Sequence, residues 1–209
     1  MSGGSHTVSS IFEYPVHELI ARRYSGRAFN SRPVDASMIG SVLRAARWAA
    51  SSSNEQPWSF IVTAKEQPSG YDRLLGCLVE FNIQWAKHAP ILILSVARLN
   101  FLSTGKPNRY AFHDVGQATA NLALQAAAMG LMAHPMAGFD AEKARNEFAI
   151  PEGFDPVAVI AVGYPGDHAN LSDKLREREL APRQRRLMRD FIFSGTWGEP
   201  ATWLPGKSR

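Results

Sequence analysis

The sequence predicts an α+β domain, a three-layer arrangement in which helices pack against both faces of one mixed β-sheet. Segments with helical spacing of apolar residues alternate along the chain with short runs of β-branched and aromatic residues. Two of these runs, residues 91–97 and 157–164, are too uniformly apolar for surface strands, so each is expected to lie in a sheet that is covered by helices on both faces. The length of 209 residues and the 45% hydrophobic content suit one domain with a substantial core.

The first half of the chain contains three predicted helices and two predicted strands. Helical spacing of apolar residues places the helices at residues 14–23, at residues 36–49 behind an N-cap at Asp35, and from residue 69 onwards to the region that Pro90 ends. Aromatic and β-branched residues place a strand at residues 58–64, and the buried strand 91–97 follows.

The second half begins with a polar segment, residues 98–113, that has no clear period and is predicted to be a long loop. Loops of this length are often substrate lids, although an ordinary exposed connection is the equal alternative. The predicted elements that follow are a helix at 114–130, a strand at 131–136, a helix behind Asp140 to residue 148, the strand 157–164 and a last strand at 190–194.

We expect a leader at residues 1–12, one domain at residues 13–199 and a tail at residues 200–209. The N-terminus has no basic segment followed by an apolar one, which argues against an export signal, and no apolar run reaches the ~20 residues of a membrane span. The lone cysteine, Cys77, lies in an apolar run and is predicted to be a core residue. A cytoplasmic location is the expectation from these features.

The net charge of +4 is concentrated in one segment. Residues 174–189 hold seven lysines and arginines against two glutamates, and the rest of the chain is close to neutral. A surface for nucleic acid spreads its basic residues over a face, so a local excess favours a small ligand bearing phosphate. The alternative is a basic helix that binds nucleic acid or an acidic protein partner.

Several common catalytic patterns are absent from the sequence. It contains no GxGxxG, no P-loop, no GxSxG and no HExxH, and its six histidines are scattered without the spacing of metal ligands. We therefore expect no metal site and no dinucleotide-fold or P-loop chemistry.

Three separate segments carry groups that suit a phosphorylated heteroaromatic ligand. Residues 22–29, RRYSGRAF, offer guanidinium groups whose donor forks match phosphate, although the same cations also suit a solvated helix end. Residues 50–58, ASSSNEQPW, offer amides for a ring edge, or equally caps and turns. Residues 130–140 combine Gly and Pro with small side chains, which permits close approach to a planar ligand or forms a plain turn.

Together these segments resemble the nitroreductase family of FMN-dependent oxidoreductases, in order from about residue 14 to residue 198. The most specific likeness is the pattern of Arg23, Ser25 and Arg27 combined with a serine-rich loop that ends in NEQPW at residues 54–58. Supporting likeness comes from residues 82–85, 89–93, 114–131 and 135–140, from Arg183 and Arg185, and from the pair at residues 197–198.

The resemblance implies a nitroreductase-like α/β/α sandwich with a mixed, mostly antiparallel sheet, in an intertwined homodimer with FMN at the subunit interface. Arg23, Arg183 and Arg185 would surround the phosphate with Ser25 as a neutral donor, and Arg27 would reach the ring near N1 and O2. The other implied FMN contacts are Arg22, Tyr24, Ala50, Gln56, Asn82, Pro135, Met136, Ala137 and Gly138, with Ser51, Ser52 and Asn54 from the partner subunit.

The chain departs from the family pattern at three positions. Ala50 stands where proline is often found, Ala137 where some members carry glutamate, and Trp85 where some carry a lysine beside the ring. The last two changes would make the pocket less polar and favour an aromatic or hydrophobic substrate. In the predicted lid, the rings available to stack on such a substrate are Phe101, Tyr110 and Phe112.

The implied activity is ping-pong hydride transfer from NADH or NADPH through the flavin N5 to a nitroaromatic, a quinone or a similar small aromatic acceptor. No side chain need be an essential acid or base, because the cofactor performs the difficult step. One alternative is a flavin enzyme that oxidises or fragments a dedicated small substrate. The other is the non-enzymatic basic-patch binder described above.

Overall fold

The computed structural model describes residues 14–204, whose centre is a sheet of five strands. The strands are β1 (Phe29–Asn30), β2 (Trp58–Ala64), β3 (Ile91–Arg98), β4 (Met132–Met136) and β5 (Phe154–Pro165). β3 pairs with β2 and β5, and β5 also pairs with β4 and β1. All of these pairs are antiparallel, so the predicted α+β class is confirmed with an antiparallel sheet in the part of the chain that the structure describes.

Seven α-helices accompany the sheet within residues 14–204. They are α1 (Glu18–Arg22), α2 (Ala36–Arg47), α3 (Pro68–Leu75), α4 (Glu80–Ala86), α5 (Ala111–Ala128), α6 (Ala141–Glu147) and α7 (Asp173–Leu180). None of the helices described is both long enough and apolar enough to cross a membrane.

The two faces of the sheet bury different sets of side chains. Along β3, Leu92 and Leu94 join the core beneath α3, α4, α6 and α7, whereas Ile91 and Ile93 join the core beneath α2 and α5. Successive strand residues point to opposite faces, so a strand that is apolar throughout supplies both cores. The predicted three-layer arrangement of helices on both faces of the sheet is confirmed.

The predicted single helix from residue 69 is wrong, because the chain forms α3 and α4 with a break between them. In the break, Leu78 makes an isolated antiparallel bridge with Phe139, and the Val79 N–H donates to the Gly138 carbonyl at 3.1 Å. The Asp140 N–H donates to the Cys77 carbonyl at 2.8 Å. This pairing with the chain after β4 replaces the helical hydrogen bonds, and Cys77 itself is buried as predicted.

Both ends of the described chain differ from the prediction. The first helix is shorter than residues 14–23, because it begins after His17, whose Nδ1 accepts from the Leu19 N–H. The predicted last strand at 190–194 is wrong, since a 3₁₀ turn ends at Asp190 and Phe193 makes only an isolated bridge with Pro200. The predicted leader lies outside the described residues. Of the predicted tail, residues 200–204 are described, and two of them, Ala201 and Leu204, are buried.

The basic segment 174–189 is helical only in its first half. α7 ends at Leu180, and Pro182 follows, which cannot continue a helix. The chain after Pro182 instead runs back toward the end of α1, where it brings two of its arginines to a common site.

Candidate functional site

Three guanidinium groups meet where α1 ends. The Arg183 Nη1 donates to the Arg23 carbonyl at 2.9 Å, and its Nη2 donates to the Ala21 carbonyl at 2.6 Å. Burial, followed by the charges of Arg185 and Arg183, lowers the pKa of Arg23. No carboxylate within residues 14–204 forms an ion pair with any of the three. Cations held together without a counter-charge favour an anion at this point.

The side chains around this cluster have different tasks. The Arg23 Nη1 lies 3.4 Å from the Ser25 Oγ, so a hydroxyl lies beside the guanidinium groups. Arg22 instead donates to the Ala127 carbonyl at 3.2 Å, in the last turn of α5, which is the helix-end role that the sequence left open for these cations. Burial and the charge of Glu179 raise the pKa of Tyr24. A cleft of about 320 Å³ lies between this segment, the end of α5 and β4.

Arg27 is held by a residue that the sequence did not single out. Its N–H donates to both carboxylate oxygens of Glu179, at 2.9 and 3.0 Å, and its Nη1 lies 3.7 Å from the Glu179 Oε2. The Arg27 Nε is buried without a hydrogen-bond partner among the described residues. A glutamate within a basic run ordinarily indicates a solvated helix face, so no sequence signal distinguished Glu179.

The turn after β4 packs closely against α4. The Asn82 Nδ2 donates to the Gly138 carbonyl at 3.0 Å, and a Cβ at Gly138 would lie 2.7 Å from that nitrogen, so only glycine fits. The Met136 side chain is buried in the core, so a contact of this residue with FMN would involve its backbone, as the predicted close approach of this segment requires. Ala137 is exposed next to it, and Pro135 is half-buried.

The expectation that Trp85 makes the pocket less polar is wrong, because its indole lies in the core and not beside a pocket. It is fully buried, with its ring centroid 4.5 Å from that of His134 and 6.1 Å from that of Phe29. The Arg27 guanidinium lies 6.0 Å from the same indole. The Trp85 Nε1 is buried without a hydrogen-bond partner among the described residues. The indole therefore supports Arg27 from the core side.

His134 is a second residue that the sequence did not single out. Its Nδ1 lies 2.9 Å from the Gly26 carbonyl, and burial lowers the pKa of His134 to about 4. The ring is therefore neutral near pH 7, and because a carbonyl only accepts, the proton lies on Nδ1 and is donated to Gly26.

The serine-rich loop follows α2 and is built on backbone conformations that L-residues rarely adopt. Ser53, Asn54 and Gln56 have φ angles of 53°, 55° and 47°. Such residues cost about 1–2 kcal/mol each, so the rest of the loop must impose them. Ser51 accepts from the Gln56 N–H at 3.0 Å, and the Ser52 N–H donates to the buried Asp114 at 3.0 Å. The adjoining Ala50 is exposed.

The two predicted halves of the site lie at opposite ends of α5. The Ser52 N–H donates a hydrogen bond to Asp114 in the first turn of this helix, whereas the Arg22 guanidinium donates one to the Ala127 carbonyl in its last turn. These two points are separated by about 20 Å along the axis at 1.5 Å per residue. The segment 22–27 contacts β4, where the His134 Nδ1 lies 2.9 Å from the Gly26 carbonyl, and the chain does not bring the serine-rich loop to it.

The predicted lid, residues 98–113, is a loop that ends where α5 begins, so Phe112 lies in the helix. The loop closes on itself through the Phe101 N–H to the Lys106 carbonyl and the Asn108 N–H to the Leu99 carbonyl. Tyr110 and Phe112 are about half exposed. Their contact with a substrate stays a prediction.

Glu55, which belongs to the serine-rich loop, connects that loop to the predicted lid through hydrogen bonds. Its carboxylate accepts from the Leu102 N–H at 2.8 Å, from the Ser103 Oγ at 3.2 Å and from the Arg98 Nη2 at 3.0 Å. The Leu102 N–H is the main reason that the pKa of Glu55 is lowered. The two loops therefore form one connected surface at the start of α5.

Known proteins share the sequence pattern and the fold of this chain. The model of the family described as "Nitroreductase family" matches residues 20–164. A solved structure described as an oxidoreductase containing FMN is 33% identical, with a TM-score of 0.87, over 93% of this chain and 99% of that one.

Two curated relatives carry functional names. A Methanothermobacter thermautotrophicus protein with the provisional name NADH dehydrogenase/NAD(P)H nitroreductase is 29% identical over 175 residues, covering 80% of this chain and 86% of that protein. Iodotyrosine deiodinase 1 of Rattus norvegicus is 25% identical over 187 residues, covering 77% of this chain and 66% of the rat protein.

Proposed function

The chain belongs to the nitroreductase family, and from that premise we propose that it is an FMN-dependent oxidoreductase. In this proposal it transfers hydride from NADH or NADPH to a nitroaromatic, a quinone or a similar small aromatic acceptor. The observation that carries the proposal is the meeting of Arg23, Arg183 and Arg185 without a carboxylate partner among the described residues. A phosphate dianion is the partner that such a cluster fits.

The residues around the cluster fit the rest of FMN. The buried Nε of Arg27 has no hydrogen-bond partner among the described residues, so this region has an unused donor. Gly138 lacks the Cβ that would close the approach to Asn82. FMN, when bound, supplies hydride acceptance and donation at its N5.

Each part of the chain then has a defined task. Arg23, Arg183 and Arg185 bind the phosphate with Ser25 as a neutral donor. Arg27 places positive charge at the N1 and O2 edge of the ring, which favours the reduced cofactor. Asn82 and the turn at Gly138 bind the ring edge. No proton donor is required of Ala137, because the acceptor takes its protons from solvent in this proposal.

We further propose a homodimer in which the serine-rich loop completes the partner's site. The 20 Å separation along α5 leaves Ser52 and Asn54 without an FMN role in their own subunit. A groove of about 470 Å³ lined by α1, α2 and α5 includes Trp48, which is 74% exposed. A groove with an exposed tryptophan, in a family with interfacial cofactors, fits a second copy of the chain.

In the same dimer, the loop of residues 99–110 would approach the partner's flavin together with the serine-rich loop, because Glu55 joins the two. Phe101, Tyr110 and Phe112 are then the rings that contact an aromatic acceptor. Trp85 plays no part in that contact, since it is fully buried. The aromatic preference therefore rests on these three rings and on Ala137.

Steady-state kinetics tests this activity. The FMN-loaded protein is expected to oxidise NADH or NADPH with a nitroaromatic or a benzoquinone as acceptor, and to give the parallel double-reciprocal lines of a ping-pong reaction. Both nicotinamides are to be compared at equal concentration. Intersecting lines would contradict the ping-pong order, and failure of both nicotinamides to reduce the flavin would contradict the proposed reductant.

The second candidate function is a flavin enzyme devoted to one small substrate, which it oxidises or fragments. The relative named iodotyrosine deiodinase 1 favours this candidate, because its name assigns it one aromatic substrate. Slow flavin reduction by both nicotinamides, combined with normal FMN binding, is the result that this candidate predicts.

The third candidate, a nucleic-acid binder, is disfavoured because Arg183 and Arg185 converge on Arg23 instead of spreading along a face.

A further inference from the structure

One peptide unit, between Gly26 and Arg27, is held at both of its polar atoms by buried side chains. Its carbonyl accepts from the His134 Nδ1 at 2.9 Å, and its N–H donates to Glu179 at 2.9 and 3.0 Å. His134 belongs to β4 and Glu179 to α7, so two distant elements fix the orientation of this single peptide.

Side chains pack closely around Gly26. A Cβ at Gly26 would lie 2.6 Å from the Tyr24 Cε2 and 2.7 Å from the Glu179 Oε1, and it would also collide with Met132. A larger residue at position 26 would displace these side chains, Glu179 among them, so glycine suits this close packing.

Glu179 occupies a position that is unfavourable for an isolated helix. It lies in the last turn of α7, where the helix dipole disfavours a negative charge, and its side chain is only 1% exposed. A buried carboxylate requires hydrogen bonds and a compensating charge. The Arg27 N–H supplies the hydrogen bonds, and the Arg27 guanidinium, whose Nη1 lies 3.7 Å from the Glu179 Oε2, supplies the charge.

We propose that Glu179 is a positioning residue for Arg27, which it orients toward the flavin ring and whose positive charge it partly offsets. The inference rests on the proposed FMN site and deepens it. Arg27 alone would strongly favour the reduced flavin, whose ring carries more negative charge at N1. With Glu179 behind it, the pair sets a lower reduction potential than the arginine would set alone.

The test compares two variants of α7 that lose the same charge. Glu179→Gln keeps an oxygen that can accept from the Arg27 N–H, and Glu177→Gln is the control on the exposed side of the same helix. For each, the dissociation constants of oxidised and fully reduced FMN are measured anaerobically. We expect the ratio of the two constants to shift about tenfold toward reduced FMN in Glu179→Gln, which is about 30 mV for a two-electron couple. Glu177→Gln is expected to keep the wild-type ratio.

A double-mutant cycle shows whether Glu179 acts through Arg27. In an Arg27→Gln background, the shift caused by Glu179→Gln is expected to be much smaller. A full tenfold shift in that background would overturn the positioning role, and so would a wild-type ratio in the single variant.

Glu179→Asp provides an independent test because it keeps the charge and shortens the side chain. We expect it to weaken FMN binding, and to weaken binding of reduced FMN more than that of oxidised FMN, because a misplaced Arg27 loses its preference for the more negative reduced ring. Wild-type affinity in this variant would overturn the inference. A wild-type protein that binds no FMN would overturn the proposed function together with this inference, whereas normal FMN binding with an unshifted ratio would overturn the inference alone.

Discussion

Replacing Arg23 or Arg185 by alanine is expected to weaken FMN binding by roughly ten- to a hundredfold, since a hydrogen bond to a charged group contributes about 1.5–3 kcal/mol. Arg23 is the centre of the cluster, because the charges of Arg183 and Arg185 both act on it. The measurement is fluorescence titration of the apoprotein with FMN at fixed ionic strength.

Arg186→Ala is the matched control for this experiment. Arg186 lies beside Arg185 in the same basic segment, but its Nη2 donates to the Asp190 carbonyl at 2.6 Å, away from the cluster. The Arg186→Ala variant loses the same charge, and its FMN affinity is expected to stay within about twofold of the wild-type value, as for most substitutions at exposed sites. Unchanged affinity in both Arg23→Ala and Arg185→Ala would remove the phosphate assignment.

Mixed dimers are expected to recover a flavin site that neither parent forms. One chain carries Arg23→Ala with Arg185→Ala, and the other carries Ser52→Ala with Asn54→Ala in the serine-rich loop. If the loop serves the partner's site, the heterodimer unites the intact arginines of the second chain with the intact loop of the first. The predicted stoichiometry is about one FMN per heterodimer, because the symmetric pair of sites then divides into one intact and one doubly altered site.

Differently tagged chains allow the heterodimer to be isolated by two affinity steps and its FMN content to be counted by absorbance. The two parental homodimers are the controls, and each is expected to retain little FMN. A heterodimer that binds no more FMN than its parents would show that arginines and loop serve the same subunit. A chain that remains monomeric at all concentrations would contradict the dimer directly.

The helices and strands that can be predicted from the sequence are those whose structure depends on their own residue pattern and not on contacts with distant segments. β2 has the predicted bounds, and β3 is buried on both faces, because a run of apolar residues such as 91–97 has no polar side to expose. The break between α3 and α4 was not predictable in this way. It depends on the pairing of Leu78 with Phe139, which lies far along the chain.

The same distinction separates the parts of the candidate site. The arginines and the serine-rich loop were identifiable because their residue types suit a phosphorylated ligand. Glu179 and His134 were missed because each acts on the peptide between Gly26 and Arg27 from a distant element. Trp85 was assigned to the pocket because a motif gives a position in the chain, whereas burial depends on packing.

The most direct test is the visible absorption spectrum of the purified protein, followed by denaturation and chromatography of the released chromophore. We expect a flavin spectrum and release of FMN in a ratio approaching one per chain, or the same spectrum after incubation of a colourless preparation with FMN. A protein that is colourless and acquires no flavin absorbance with excess FMN would contradict the account.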